Sequence, residues 1–96
     1  MEINDRHFSF EIASDVIRNG IGVELWEDRG GKEIHLAEIF RNDQKKCIEF
    51  SADVKALPFE VLQKLIEVFQ NEIPADGLRK VAAGVRDVFR TVALQS

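Results

Sequence analysis

The chain has one cysteine, two prolines, no tyrosine and no long apolar run. Each scarcity excludes something. A single thiol, Cys47, cannot close an internal disulfide, and the simplest setting for such a chain is a reducing compartment. No apolar stretch approaches the roughly 18 residues that a membrane-spanning helix needs. The opening Met-Glu-Ile-Asn-Asp-Arg-His lacks a basic segment followed by an apolar one, so it does not read as a signal peptide. The expectation is a soluble cytoplasmic protein that does not enter membranes. Two prolines in 96 residues, with 45% hydrophobic content, suit an ordered globular chain. At this length residues 1–96 read as a single domain with one modest core.

Motifs for chemistry are equally scarce. There is no Cys-x-x-Cys and no His-x-x-x-His. Gly30-Gly31 is the one glycine pair, and it lacks the strand–Gly-x-Gly-x-x-Gly–helix setting of a phosphate loop. It reads as a hairpin turn. His35 and Cys47 share a parity on strands expected to be neighbours, with Glu24 or Glu49 available beside them. Structural zinc wants four ligands and a catalytic thiol wants a pocket; an open sheet offers neither. No catalytic residue, metal site or cofactor is assigned, and the chain reads as non-enzymatic.

What is present is an uneven charge. The net charge is −4. Residues 1–53 hold 12 Asp/Glu against 7 Lys/Arg, while residues 54–96 hold 5 against 6. The acidic balance argues against nucleic acid, which wants a basic footprint. The basic residues of the C-terminal stretch, Arg79, Lys80, Arg86 and Arg90, have no interleaved aromatics for base stacking. An acidic first half can steer a basic protein partner.

The first half alternates with period two. Phe8, Phe10 and Ile12 alternate with Ser9 and Glu11, a strand with one buried face. Ala13 to Arg18 reads either as the continuation of that strand, which is favoured, or as one helical turn capped by Ser14 and ended by Gly20. Asn19-Gly20 is a hairpin signal. Ile21, Val23 and Leu25 make a second strand, closed by the turn Asp28-Arg29-Gly30-Gly31. Glu33 to Arg41 is a third, whose parity slips. A β-bulge near Leu36–Glu38 would reconcile it, and so would burial on both faces. Lys46 to Ser51 is a fourth, after the turn Asn42-Asp43-Gln44-Lys45.

The second half changes period. Pro58 opens a helix carrying the stripe Leu62, Leu65, Ile66, Phe69 and Ile73, and Pro74 stops it. Asp76 caps a second helix with the stripe Leu78, Val81, Ala82, Val85, Phe89 and Val92. Gly84 in that helix suits a close approach. The expected fold is therefore α+β: a four-stranded antiparallel meander followed by two amphipathic helices packed on one face.

Parity then assigns two faces. Phe8, Phe10, Ile12, Ile21, Val23, Leu25, Ile34, Leu36, Ile48 and Phe50 face the helices. Glu11, Glu24, Trp26, His35, Ala37, Ile39, Cys47 and Glu49 lie on the other side. Carboxylates around a tryptophan and an isoleucine suit a protein interface, so Glu24, Trp26, His35, Ile39 and Glu49 are the candidate partner-binding residues.

The segments Gly22-Val23-Glu24-Leu25-Trp26-Glu27-Asp28, Ala37-Glu38-Ile39-Phe40-Arg41-Asn42-Asp43 and Pro58-Phe59-Glu60-Val61-Leu62 resemble a group of small bacterial α+β proteins, most of them uncharacterised. The resemblance covers about half the chain, from Gly20 to Glu67. Proteins of this size, charge and fold are similar to immunity proteins, which neutralise toxins by binding them. The expected function is a protein-binding module, in its sharpest form an immunity-type inhibitor of a basic toxin. The alternative is a structural homodimer joined through the second sheet face or the second helix.

Overall fold

The computed structural model describes residues 1–73. It corrects the expected architecture. Instead of a four-stranded meander, the described residues form a five-stranded curled antiparallel sheet in sequential order: β1 (Glu2–Ile3), β2 (Arg6–Asp15), β3 (Gly20–Arg29), β4 (Lys32–Asn42) and β5 (Cys47–Ala52). One helix, α1 (Phe59–Glu72), packs against it. The second helix expected over 76–94 lies outside the described residues. The class remains broadly α+β.

Turn chemistry explains the meander. Asn4 and Asp5, with φ of 50° and 64°, join Ile3 to its partner Arg6. Gly30 and Gly31, at 60° and 85°, join Arg29 to Lys32. Two successive residues with positive φ match the right-handed twist of the flanking strands. The other two hairpins use four-residue loops of a common design. Asp15 Oδ1 accepts the Arg18 N–H at 3.0 Å, and Asn42 Oδ1 accepts the Lys45 N–H at 2.9 Å. Each loop then ends on a residue with positive φ, Asn19 or Lys46. The strand reading of Ala13 to Asp15 therefore holds, and Val16 to Asn19 form the turn. Gly20 belongs to β3, opposite Asp15 and Asn42.

The bulge on β4 is present. Leu25 pairs with Ala37 and Trp26 with His35, which leaves Leu36 as the extra residue. Leu36 and Ala37 consequently both join the helix-side core, and parity beyond them is inverted relative to the residues before.

The core lies between the sheet and α1. Phe8, Val23, Leu25, Leu36, Ala37 and Ile39 pack with Val61, Leu65, Phe69 and Ile73. Val61, Leu65 and Phe69 recur every four residues, so one edge of the helix is buried while Leu62 and Ile66 are only partly covered. Pro58 occupies the N-cap position, its carbonyl accepting the N–H groups of Val61 and Leu62. Ile73 leaves the helical region (φ −87°, ψ 119°), as the residue before Pro74 should. Two expected core residues sit at the margins: Ile12 is 47% and Phe50 52% exposed. Both lie in one row with Val23 and Ile39, Ile12 on β2 and Phe50 on the outermost strand. The helix covers the centre of the sheet and leaves these flanks open.

One charge is buried on the helix side. Glu27 is 2% exposed and is held by Arg6 at 2.8 and 3.0 Å and by Arg29 at 2.8 and 2.9 Å. Arg6 in turn lies over the Phe8 ring, 4.9 Å from its centroid. The Arg6 hydrogen bonds, more than the contacts with Arg29, hold the Glu27 carboxyl down to about 2 against the opposing effect of burial.

Candidate functional site

The sheet face away from α1 carries the candidate residues, and its organisation follows from register. Glu11 pairs directly with Glu24, and Glu24 with Glu38. Three carboxylates thus form a row across β2, β3 and β4 on the open face. Like charges directly opposite one another destabilise a sheet. Among the described residues, an arginine meets the row at one end only. Arg18 forms a fork on Glu38, 2.8 Å to Oε1 and 2.9 Å to Oε2. Glu11 is exposed, and Glu24 has the imidazole of His35 beside it, Nε2 to Oε2 at 3.7 Å.

Two aromatic groups flank the row. On one side Trp26 and His35, cross-strand partners just past the bulge, meet edge to face with centroids 5.1 Å apart and planes at 82°. Asp53 Oδ2 lies 2.7 Å from His35 Nδ1 and fixes the ring's orientation. The indole Nε1 of Trp26 is buried with no hydrogen-bond partner among the described residues. On the other side lies Phe40, 1% exposed although it points away from the helix. Gly20 and Gly22 make room for it: a Cβ on Gly20 would collide with the Phe40 ring and the Arg41 carbonyl oxygen, and one on Gly22 would collide with the Ile39 carbonyl oxygen and press on the ring. Arg18 covers the ring from above, 3.9 Å from its centroid, while its Nε donates to Asp15 at 2.6 Å. These contacts raise the Arg18 pKa, Glu38 contributing more than Asp15, and lower that of Asp15. A shallow cleft of about 380 Å³ runs beside Phe40, bounded by Arg18, Glu38, Asn42 and Glu49.

Of the candidate residues, Glu24, Trp26 and His35 come together as neighbours. Glu49 is exposed on β5 opposite Phe40 and accepts a hydrogen bond from Asn42 Nδ2 at 3.2 Å. Ile39 does not belong with them. It pairs with Val23 and is 1% exposed in the helix-side core. Ala37 is misplaced in the same way; the bulge at Leu36 sends both to the opposite face from the one parity alone assigns. Cys47 pairs with Asn42, at the far end of β4 from His35, so the two do not approach. Sequence reasoning missed Arg18, Glu38 and Phe40. The signal that pointed to them was Gly20-x-Gly22, two strand positions without side chains, which implies a bulky group laid across from a neighbouring strand.

His35 is engaged by a carboxylate on each side, Glu24 and Asp53. Among the described residues, no three His, Cys, Asp or Glu side chains converge as a metal site would require, and no helix is long and apolar enough to cross a membrane. Comparison with known proteins finds no matching family model, no matching curated protein and no matching solved structure.

Proposed function

We propose that this protein is a non-enzymatic protein-binding module whose open sheet face docks a basic partner, with immunity-type inhibition of a basic toxin as the sharpest form of that role. The observation that carries the reading is the row Glu11–Glu24–Glu38 on the face opposite α1. Glu38 is already held by Arg18, but setting Glu11 opposite Glu24 gains the fold nothing, whereas a cationic surface laid across that pair relieves the repulsion. Trp26, Phe40 and their cationic or imidazole neighbours give that face shape on both sides of the row. The test immobilises the chain, recovers basic host proteins at low salt, and follows binding kinetics of the recovered protein against ionic strength. Glu11→Gln and Glu24→Gln should slow association and flatten the salt dependence. Binding that ignores both salt and these changes would sink the proposal. For the toxin form, co-expression of the chain should rescue growth from the recovered protein.

The structural homodimer has one observation in its favour. Among the described residues β5 forms a sheet edge, and its Phe50 is half exposed. Light scattering of the purified chain separates the two readings.

A further inference from the structure

The hairpin between β2 and β3 holds an anomaly. Val16 is 92% and Ile17 95% exposed at its tip. Tips that serve only as connections are ordinarily built from small and polar residues. This tip is also well anchored. The Arg18 N–H and Nε both bind Asp15, at 3.0 and 2.6 Å. The Arg18 guanidinium is forked on Glu38 and stacked on Phe40. The Asn19 carbonyl accepts the Asp43 N–H at 2.9 Å, which ties the loop to the neighbouring turn. The residues on either side of the aliphatic pair are fixed, and the pair itself is presented to water.

Arg18 also makes the tip continuous with the acidic face, because its partner Glu38 is the last carboxylate of the row. A protein interface needs an apolar anchor as well as steering charges. The residues that sequence parity offered as anchors do not serve: Ile39 is in the core, and Trp26 is partly buried with its indole nitrogen covered. We propose that Val16 and Ile17 are the anchor of the binding face described above, and that they seat in an apolar pocket with a basic rim on a protein partner. This rests on the reading of the face as a docking surface. The basic rim follows from charge complementarity with the adjoining row. The same row disfavours an anionic bilayer and a second acidic copy. Fixing the loop beforehand reduces the ordering cost on binding. Each side chain buried in such a pocket is worth roughly 10- to 100-fold in affinity.

The experiment is photo-crosslinking in the native cells, with p-benzoylphenylalanine replacing Ile17, Glu11 or, as a control on the outer side of α1, Gln63. Positions 17 and 11 should capture the same basic protein, and position 63 should not. That protein is then purified, and its binding to the double variant Val16→Ser/Ile17→Ser is measured. Affinity should fall at least about 100-fold, mainly through faster dissociation, with the thermal melt of the chain unchanged because neither residue packs against it. If position 11 captures a basic protein while position 17 is silent, labels lipid or labels a second copy, the anchor is overturned and the acidic face stands. If position 17 captures a protein and position 11 does not, the reading of the face falls, and the basic-rimmed partner falls with it. Unchanged affinity in the double variant also overturns the anchor.

Discussion

Glu27 shows how one residue can carry a pH dependence that the surface charges do not. Its carboxylate is buried between Arg6 and Arg29, and its pKa is depressed to about 2. An unfolded glutamate titrates near about 4.3. The folded state therefore binds the proton more weakly than the unfolded state. This stabilisation is fully present above about pH 4.3 and drains away as pH falls towards 2. Glu27→Gln should lose about 1.5–3 kcal/mol at neutral pH, the scale of hydrogen bonds to a charged group. Its melting temperature should also fall less steeply than that of the native chain between pH 4.5 and 2. Parallel acid profiles for the two proteins would show that Glu27 is not the residue responsible. Val23, Leu25 and Glu27 share one parity, so the burial of Glu27 was written in the alternation. Alternation alone does not favour it, because a carboxylate is rarely buried unless paired, and its two arginines lie on β2 and at the end of β3.

At the scale of elements, the strands were legible because alternation survives wherever one face is buried. The first two-residue strand was not: Glu2–Ile3 is too short to show a period, although Asn4-Asp5 is a fair turn signal. The bulge was legible as a slip in parity near Leu36. Its consequence for Ile39 and Ala37 was not, because a one-residue uncertainty in a bulge reverses every later side chain. The helix was read within a residue at its start, but its stripe was centred wrongly: Val61, not Leu62, is fully buried. Two predictions belong here. Phe69→Ala removes a side chain that is 5% exposed in the core and should cost about 3–5 kcal/mol, enough to unfold much of a domain this small. A cooperative melt near that of the native chain would show that α1 packs elsewhere. Gly22→Ala tests the opposite face. The added methyl would press on the Ile39 carbonyl and the Phe40 ring, so a loss of about 1–3 kcal/mol is expected in a chemical denaturation curve. No loss would mean that Phe40 does not lie over the glycines.

For the whole molecule the informative quantity is where its charge lies. A net charge of −4 in 96 residues is unremarkable, and the acidic first half was visible from composition alone. What composition could not show is that Glu11, Glu24 and Glu38, 13 or more residues apart in sequence, would meet in one row, since that depends on the register of three strands. The row makes stability and proposed binding oppose each other. Removing a charge from it should stabilise the free protein and weaken its hold on a basic partner. Glu11 is the cleanest position, being exposed and outside the Arg18 and His35 contacts. Glu11→Gln should raise stability by about 0.2–1 kcal/mol, the scale of one cross-strand pair. For a domain of this size, that is roughly 1–8 °C in melting temperature. The gain should shrink as salt is raised from 0.01 to 1 M, because screening removes repulsion between exposed carboxylates. A conservative control at Gln63, on the outer side of α1, should show neither the gain nor its salt dependence. If Glu11→Gln melts at or below the native temperature at low salt, Glu11 contributes to the fold, and the row loses its standing as a surface kept for a partner.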